Sequence, residues 1–176
     1  MVVDKNKKGY VANIATSFLE LPGLICSSVY LSGCAFNCKG CQNPELQNST
    51  YGKVMSIDDV VNIINENQLA KWVCFLGGEP FYQYEYLYEL CKNITKPIGI
   101  YTGNGFDVIC DKYANILELP NVKFFKTGVY DETRLIINEF PITSNQRVYV
   151  KNIDNFWIMI KSRNINDISK ILATIK

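Results

Sequence analysis

The chain is 176 residues long, and its 18 basic and 17 acidic side chains leave a formal net charge of +1. This balance gives no sign of the extended positive field that a nucleic-acid-binding surface presents, so no nucleic-acid partner is expected. The sequence contains no histidine, which excludes serine triads, cysteine–histidine dyads and histidine-ligated zinc, because each of them needs an imidazole.

The first feature along the chain is a small lysine cluster, Lys5, Lys7 and Lys8. It is interpreted as a solvated, frayed end without a function. The first predicted strand follows at residues 25–31, where apolar residues of strand character are concentrated. This strand leads directly into the cysteine loop, defined as residues 32–44.

The cysteine loop carries Cys34, Cys38 and Cys41 in a Cys-x3-Cys-x2-Cys pattern. A loop can bring three thiolates together where a strand cannot, because alternate strand side chains point to opposite faces. Three close cysteines can ligate three irons of a four-iron cluster and leave the fourth iron open, whereas structural zinc normally takes four protein ligands. The pattern by itself leaves a zinc knot open as the alternative.

The sequence has seven cysteines in total. No apolar run reaches the roughly 20 residues that span a bilayer, and the N-terminus lacks the apolar core of a secretion signal, so a cytoplasmic protein without a membrane partner is expected. Cysteines in that compartment indicate metal or redox chemistry more than disulfides. The four outside the loop are isolated in apolar patterns, which favours small buried thiols. They are Cys26, Cys74, Cys91 and Cys110.

Helical patterns then alternate with strands. Ser56 can cap a helix, with Asp59 at the capping-box position. A second strand is predicted at residues 72–76, and a second helix around residues 87–94. A third strand is predicted at residues 98–101.

The last third of the chain continues this alternation. A helix is predicted within residues 106–119 and a strand at 122–125. Residues 147–150 and 156–160 are interpreted as a hairpin, with a parallel pair as the alternative, and residues 165–175 as an amphipathic helix. The alternation predicts an α/β fold with a parallel sheet, formed by residues 1–176 as a single domain.

A second motif lies at the end of the second strand, where Gly77 and Gly78 precede Glu79. Paired glycines at the carboxyl end of a parallel strand let a ligand approach the backbone closely. A carboxylate beside exposed carbonyls suits the cationic amino group of an amino-acid ligand. A strand-to-helix turn in which the glycines only satisfy geometry is the alternative.

The Cys-x3-Cys-x2-Cys loop followed by Gly-Gly-Glu-Pro after the next strand resembles the radical S-adenosylmethionine (SAM) superfamily. That resemblance implies a partial (β/α) barrel with a mainly parallel curved sheet, with a 4Fe-4S cluster and SAM at the carboxyl ends of its strands. Residues 38–44 further resemble the activating proteins of anaerobic ribonucleoside-triphosphate reductase, which also have glycine before the third cysteine. Residues 126–130 and 144–147 resemble downstream motifs of the same proteins.

The resemblance implies an enzyme, a radical SAM oxidoreductase. A reduced cluster, ligated by Cys34, Cys38 and Cys41, would cleave SAM to a 5′-deoxyadenosyl radical. That radical would remove a hydrogen from a glycine of the reductase partner and leave a glycyl radical there. A low-potential electron donor such as flavodoxin or ferredoxin is implied as a second partner.

The same correspondence implies roles for further residues. Gly40, Cys41 and Gln42 would line the adenine side of SAM. The motif Gly77, Gly78 and Glu79 would hold the methionyl amino group. Ribose and carboxylate contacts would come from Thr102 and Lys126, and partner contacts from Asn145 and Arg147. A turn hydroxyl for Thr102 and a solvated surface side chain for Lys126 are the alternatives. For Asn145 and Arg147 the alternative is that they only cap a turn and solvate a strand.

Three alternative functions remain open from the sequence. The protein could activate another glycyl-radical enzyme, such as one of the formate-lyase type, or it could carry out a radical SAM reaction on a small molecule. An alternative from a different class is a non-catalytic zinc or iron–sulfur protein that carries electrons or mediates binding.

Overall fold

The computed structural model of the chain describes residues 7–175, so Lys5 lies outside the described residues. Within that range the strands are β1 (Lys8–Ser17), β2 (Cys26–Leu31), β3 (Lys53–Ser56), β4 (Trp72–Gly77), β5 (Ile98–Thr102), β6 (Val122–Thr127), β7 (Arg147–Lys151) and β8 (Trp157–Ile160). The α-helices are α1 (Ile57–Glu66), α2 (Tyr84–Asn93), α3 (Phe106–Lys112), α4 (Ala114–Glu118) and α5 (Ile165–Thr174). None of the helices in this part of the chain is long and apolar enough to cross a membrane.

The strands form one mixed sheet in the order β3-β1-β2-β4-β5-β6-β7-β8. Three neighbouring pairs, β2–β4, β4–β5 and β5–β6, are parallel. The other four pairs, two at each side of the sheet, are antiparallel. The prediction of a partial (β/α) barrel with a mainly parallel curved sheet is therefore wrong.

The error has a physical reason in the connections between strands. Parallel neighbours need a crossover, usually a helix, whereas short connections permit antiparallel pairing. The predicted hairpin is confirmed, because β7 and β8 pair antiparallel across residues 152–156. On the other side, β1 was not predicted as a strand, and it pairs antiparallel with both β2 and β3. Lys8, which was interpreted as part of a frayed end, is the first residue of β1.

Several local predictions are confirmed. The side chain of Ser56 accepts from the backbone N–H of Asp59, whose carboxylate accepts from the backbone N–H of Ser56, and α1 begins at this capping box. Helices α2 and α5 cover the segments predicted for them. The predicted helix within 106–119 is instead two short helices that meet at Tyr113.

Each face of the sheet packs into its own apolar core. One core, which includes Val73, Phe75 and Ile100, joins the sheet to α1, α2, α3 and α4. The other, which includes Trp72 and Phe124, joins it to α5. Because successive strand side chains alternate between the two faces, both cores are built from the same central strands. Burial on both faces explains why these strands appear in the sequence as continuous apolar runs.

Candidate functional site

The candidate site lies at one end of the sheet, where the parallel strands β2, β4, β5 and β6 all terminate. The carboxyl ends of parallel strands meet at the same edge, so the loops that follow them become neighbours. The cysteine loop follows β2, and Glu79 lies two residues after the end of β4. Thr102 ends β5, and Lys126 lies one residue before the end of β6.

The cysteine loop carries three free, half-buried thiols, Cys34, Cys38 and Cys41. The backbone N–H of Cys41 donates to the carbonyl of Cys38 at 3.2 Å, which makes a tight turn between these two residues. Burial raises the pKa of the Cys34 thiol, and the nearby Glu79, Cys38 and Cys41 raise it further. A bound metal would reverse this effect, because thiols are deprotonated when they become ligands.

The donor chemistry of the loop fits an iron–sulfur cluster, since cysteine thiolates are its usual ligands. Among residues 7–175, no three Cys, Asp or Glu side chains are grouped closely enough to hold a metal ion. The thiols of Cys34, Cys38 and Cys41 are therefore carried on one loop without being closed around a single ion.

The base of the cysteine loop is fixed by the residues after β4. The backbone N–H of Gly78 donates to the carbonyl of Leu31, and that of Glu79 donates to the carbonyl of Gly33, both at 2.8 Å. A Cβ at position 78 would lie 2.5 Å from the Gly33 oxygen and 2.7 Å from the Leu46 oxygen. Glycine is required there because two backbone segments pass too close to leave room for a side chain.

The carboxylate of Glu79 is buried, with 5% of the residue exposed. It accepts from the Phe81 backbone N–H at 3.0 Å, the Thr102 hydroxyl at 2.8 Å and the Gly103 backbone N–H at 2.7 Å. Burial raises the pKa of Glu79, while these donors act in the opposite direction. An anion held by several donors can remain charged in a buried site.

Thr102 therefore lies beside Glu79, as the strand-end argument predicts. Its hydroxyl oxygen also accepts from the backbone N–H of Asn104 at 3.0 Å and from the side-chain amide of Asn104 at 2.9 Å. The turn after β5 is thus organised around one hydroxyl group. Phe36 of the cysteine loop lies against Gly103, where a Cβ would come within 2.5 Å of its ring. The cysteine loop, Glu79 and the end of β5 form one contiguous unit.

The side chain of Lys126 lies on the face of the sheet opposite to Thr102 and Glu79. Its Nζ is 4.0 Å from the centroid of the Tyr101 ring and 5.9 Å from that of Phe140. Tyr101 and Thr102 are successive residues of β5, so their side chains point to opposite faces. Desolvation lowers the pKa of the Lys126 ammonium to about 8. A solvated surface lysine is therefore the wrong interpretation of this residue.

Gly40 and Gln42 lie on the exposed side of the cysteine loop. Gly40 has φ of +71°, in the left-handed region that favours glycine. A Cβ at this position would collide with the carboxylate of Glu132. The carboxylate beside Gly40 thus comes from a distant part of the sequence.

The other cysteines were predicted to be buried, which is confirmed for Cys26, Cys74 and Cys91. Burial raises the pKa of Cys26 to about 11. Cys110 is exposed on α3, so its predicted burial is wrong. The helix is only seven residues long, and its buried residue, which packs into the apolar core, is Ile109.

Sequence reasoning missed Gln83, which lies at the end of a 3-10 helix, Pro80–Gln83. Its Nε2 donates to the carbonyls of Tyr10 and Ser32, both at 2.9 Å. Its Oε1 accepts from the Tyr10 backbone N–H at 2.8 Å. One amide thus joins β1 to the first residue of the cysteine loop. No periodicity or motif marks this residue, because its partners are far away in sequence.

Asn145 and Arg147 contact this chain's own backbone. The side-chain amide of Asn145 donates to the Val129 carbonyl at 2.8 Å, and that of Gln146 donates to the Gly128 carbonyl at 2.9 Å. Nη1 of Arg147 donates to the Ser144 carbonyl at 2.6 Å. These contacts fix the loop that follows β6 against the segment before β7.

Comparison with known families gives one match that spans most of the chain. The sequence pattern of a family described as a 4Fe-4S single cluster domain matches residues 20–149. The matched segment includes the cysteine loop, Glu79, Thr102 and Lys126. No curated protein matches the sequence.

Proposed function

The chain belongs to the 4Fe-4S single cluster domain family, a kind of domain found in radical SAM-type proteins, and on this premise we propose that it is a radical SAM enzyme. Cys34, Cys38 and Cys41 are proposed as its cluster ligands. The observation that carries the proposal is the contact between two motifs that are distant in sequence. The backbone N–H of Glu79 donates to the Gly33 carbonyl, beside the first of the three cysteines.

Three thiolates satisfy three irons, so one iron of the proposed cluster would be open to SAM. When bound, the reduced cluster supplies the electron for reductive cleavage of SAM. The chain itself holds the thiolates on the loop and orients the ligand beside them. On the side nearest Gly103 the site is bounded by the Phe36 ring and by the buried Thr102 at the end of β5.

Glu79 is proposed to receive the amino group of SAM. Its oxygens are already oriented by Thr102 and Gly103, so a cationic ligand would meet a fixed anion. Gly77 and Gly78 pack against the backbone of Leu31 and Gly33, so they are proposed to bound the ligand site through their own backbone, and Thr102 would lie at the edge of the ligand. On the other face of β5, the half-buried Lys126 forms no ion pair with any residue in the described range. The carboxylate contact that the sequence predicts for Lys126 is therefore not carried into the proposal, because the amino and carboxylate groups of SAM share one carbon atom and cannot reach both faces of the sheet.

Gly40, Cys41 and Gln42 are proposed to line the adenine side of SAM. The activity proposed is that of a glycyl-radical activase for anaerobic ribonucleoside-triphosphate reductase, with flavodoxin or ferredoxin as electron donor. Support for this finer assignment comes from residues 38–44 of the sequence. A cytoplasmic location accords with a site that needs reduced thiols.

The test is anaerobic reconstitution with iron and sulfide, followed by reduction in the presence of SAM. Formation of 5′-deoxyadenosine is expected from the wild-type chain and not from Cys38→Ser. Cys110→Ser, which removes an exposed thiol outside the loop, is the matched control and should behave like the wild type. A cluster that forms but never cleaves SAM would indicate an electron carrier, and tightly bound zinc without a cluster would indicate a zinc protein.

The partner is tested separately by electron paramagnetic resonance. Mixing the reduced protein and SAM with anaerobic ribonucleoside-triphosphate reductase should give a glycyl-radical signal on the reductase. A glycyl-radical enzyme of the formate-lyase type serves as the comparison. A signal with that enzyme alone would overturn the assignment of the partner while leaving the radical SAM chemistry intact.

A further inference from the structure

One acidic side chain outside the motifs touches the cysteine loop. Glu132 belongs to a 3-10 helix, Glu132–Arg134, in the long connection between β6 and β7. Its Oε1 lies 3.1 Å from the Nζ of Lys39, the residue between Cys38 and Gly40. Its other carboxylate oxygen occupies the space into which a Cβ at position 40 would project.

The segment that carries Glu132 is defined here as the strap, residues 128–135. Its start is fixed by the backbone N–H of Gly128, which donates to the Asn104 carbonyl at 3.1 Å. Its end is fixed by an isolated bridge between Leu135 and Thr143 and by the Ser144 backbone N–H, which donates to the Arg134 carbonyl at 2.9 Å. Both ends of the strap are therefore attached to other segments of the fold.

The tip of the strap is also ordered by its own side chains. The carboxylate of Asp131 accepts from the Thr133 backbone N–H at 3.0 Å and from the Thr133 hydroxyl at 2.6 Å. Asp131 also forms an ion pair with Arg134 at 3.0 Å. Glu132 is thus presented from a short turn with internal bonds, which limits the conformational entropy lost when it contacts Lys39.

Arg163, beyond β8, supports the strap from behind. Its guanidinium donates to the carbonyls of Pro141, Thr143, Ser144 and Gln146 at 2.7 to 3.2 Å. These carbonyls belong to the segment on which the strap ends. Arg163 thus fixes the segment to which the end of the strap is hydrogen-bonded.

We propose that Glu132 is a positioning residue for the cluster, which holds the turn between Cys38 and Cys41 through Lys39 and offsets the positive charge of Lys39 beside it. Net charge near an iron–sulfur cluster is one of the properties that set its reduction potential. A nearby anion disfavours the reduced, more negative state, so Glu132 makes the cluster harder to reduce. This inference rests on the proposed cluster at Cys34, Cys38 and Cys41.

The first test measures the reduction midpoint potential of the reconstituted cluster in the wild type, in Glu132→Gln and in Glu89→Gln. The redox titration is monitored by electron paramagnetic resonance. Glu89 pairs with Lys92 at 2.9 Å on α2, so the control removes one carboxylate from a Lys–Glu pair on a remote helix. The midpoint should become less negative in Glu132→Gln and should equal that of the wild type in Glu89→Gln. Equal midpoints in the two variants would overturn the inference.

The second test is a double-mutant cycle on iron content after reconstitution. Gly40→Ala meets both the Glu132 carboxylate and an unfavourable φ, whereas in a Glu132→Ala background only the φ penalty remains. Gly40→Ala should therefore lower the bound iron in the wild type and lower it less in Glu132→Ala. Equal losses in both backgrounds would overturn the proposed contact. Failure of the wild type to assemble a cluster would instead overturn the proposed function.

Discussion

The central strands and the two sides of the sheet contribute differently to the site. Strands β2, β4, β5 and β6 are parallel, and the loop with the three candidate cluster ligands follows β2. Three further site residues lie in the other central strands or directly after them: Glu79, Thr102 and Lys126. The antiparallel sides, defined here as the wings, are β1 with β3 and β7 with β8. None of the residues proposed to touch SAM lies in a wing.

The wings act through contacts to the loops of the centre. On one side, Gln83 joins the backbone of Tyr10 in β1 to Ser32. On the other, the residues before β7 hold the strap that reaches Lys39. The comparison indicates that the residues proposed to bind the cluster and SAM belong to the centre of the sheet, whereas contacts with the wings hold the central loops in place. Variants in the centre and in the wings should therefore fail in different ways.

The largest effect is expected in the centre, from Cys41→Ser. Loss of one of three proposed thiolate ligands should abolish the cluster and with it all SAM cleavage, while the circular dichroism spectrum stays that of the wild type. Visible absorbance and iron analysis after reconstitution measure the outcome. Cys91→Ser is a control that changes a buried thiol outside the loop. Full iron content in Cys41→Ser would exclude that residue as a ligand.

A second central variant, Glu79→Gln, is expected to lose both SAM affinity and stability. The neutral amide cannot attract the amino group of SAM. In the wild type the Thr102 hydroxyl and the Gly103 backbone N–H donate to the carboxylate, so in the variant the amide NH2 would face one of these donors without forming a hydrogen bond. One unsatisfied buried polar group costs about 1–3 kcal/mol of unfolding free energy. Urea unfolding and equilibrium binding of SAM measure the two effects.

Glu45→Gln is the matched control for this variant, since it makes the same chemical change at an exposed position, in the 3-10 helix Pro44–Gln47. It should leave both quantities unchanged. Unaltered SAM binding in Glu79→Gln would contradict the role proposed for this carboxylate.

Where the centre meets β1, Gln83→Ala should cost about 1–3 kcal/mol of unfolding free energy, because the Tyr10 backbone N–H and the Ser32 carbonyl lose their hydrogen-bond partner. Cluster content should fall only partly, since no ligand is removed. Gln68→Ala, which removes a single exposed hydrogen bond to Asn65, is the control. A Gln83 variant as stable as the control would show that the hydrogen bonds of Gln83 to Tyr10 and Ser32 do not stabilise the fold.

The smallest effect is the pH dependence linked to Lys126. Its pKa is lowered to about 8 in the folded protein, below that of a lysine in the unfolded chain, about 10.4. Between these values the unfolded state binds more protons, so this group makes the folded state relatively more stable as the pH rises. The unfolding free energy of the wild type should therefore rise relative to Lys126→Met from pH 8 to pH 10.

The affinity for SAM should not follow this change, because Lys126 lies on the face of β5 opposite Glu79. The pH profile of SAM binding should therefore be the same for the wild type and for Lys126→Met. Binding that weakens above pH 8 only in the wild type would instead place Lys126 in the SAM site.

The sequence was sufficient to predict the central strands, because burial on both faces requires uninterrupted apolar residues such as Val73 to Phe75. It was insufficient for β1, whose burial alternates weakly and whose only fully buried large apolar side chain in the described core is Val11. Missing β1 removed the information that would have revealed the antiparallel wing. The parallel sheet was therefore extended too far in the prediction.

The site divides in the same way. Cysteine spacing predicts a cluster loop because the ligands are neighbours in sequence, and strand ends predict the meeting of Glu79 and Thr102. Gln83 and Glu132 could not be predicted, since each acts on residues more than 50 positions away. The only sequence signal for Glu132 was indirect: a glycine at position 40 leaves space that another side chain can fill.

The close packing at Gly78 has a consequence for how mutagenesis of this motif is interpreted. An alanine there would push against the Gly33 and Leu46 oxygens before any ligand arrived. A loss of activity in Gly78→Ala would thus report a displaced loop as readily as a lost ligand contact. The glycine pair that marks a ligand site in the sequence also records how closely two backbone segments approach each other.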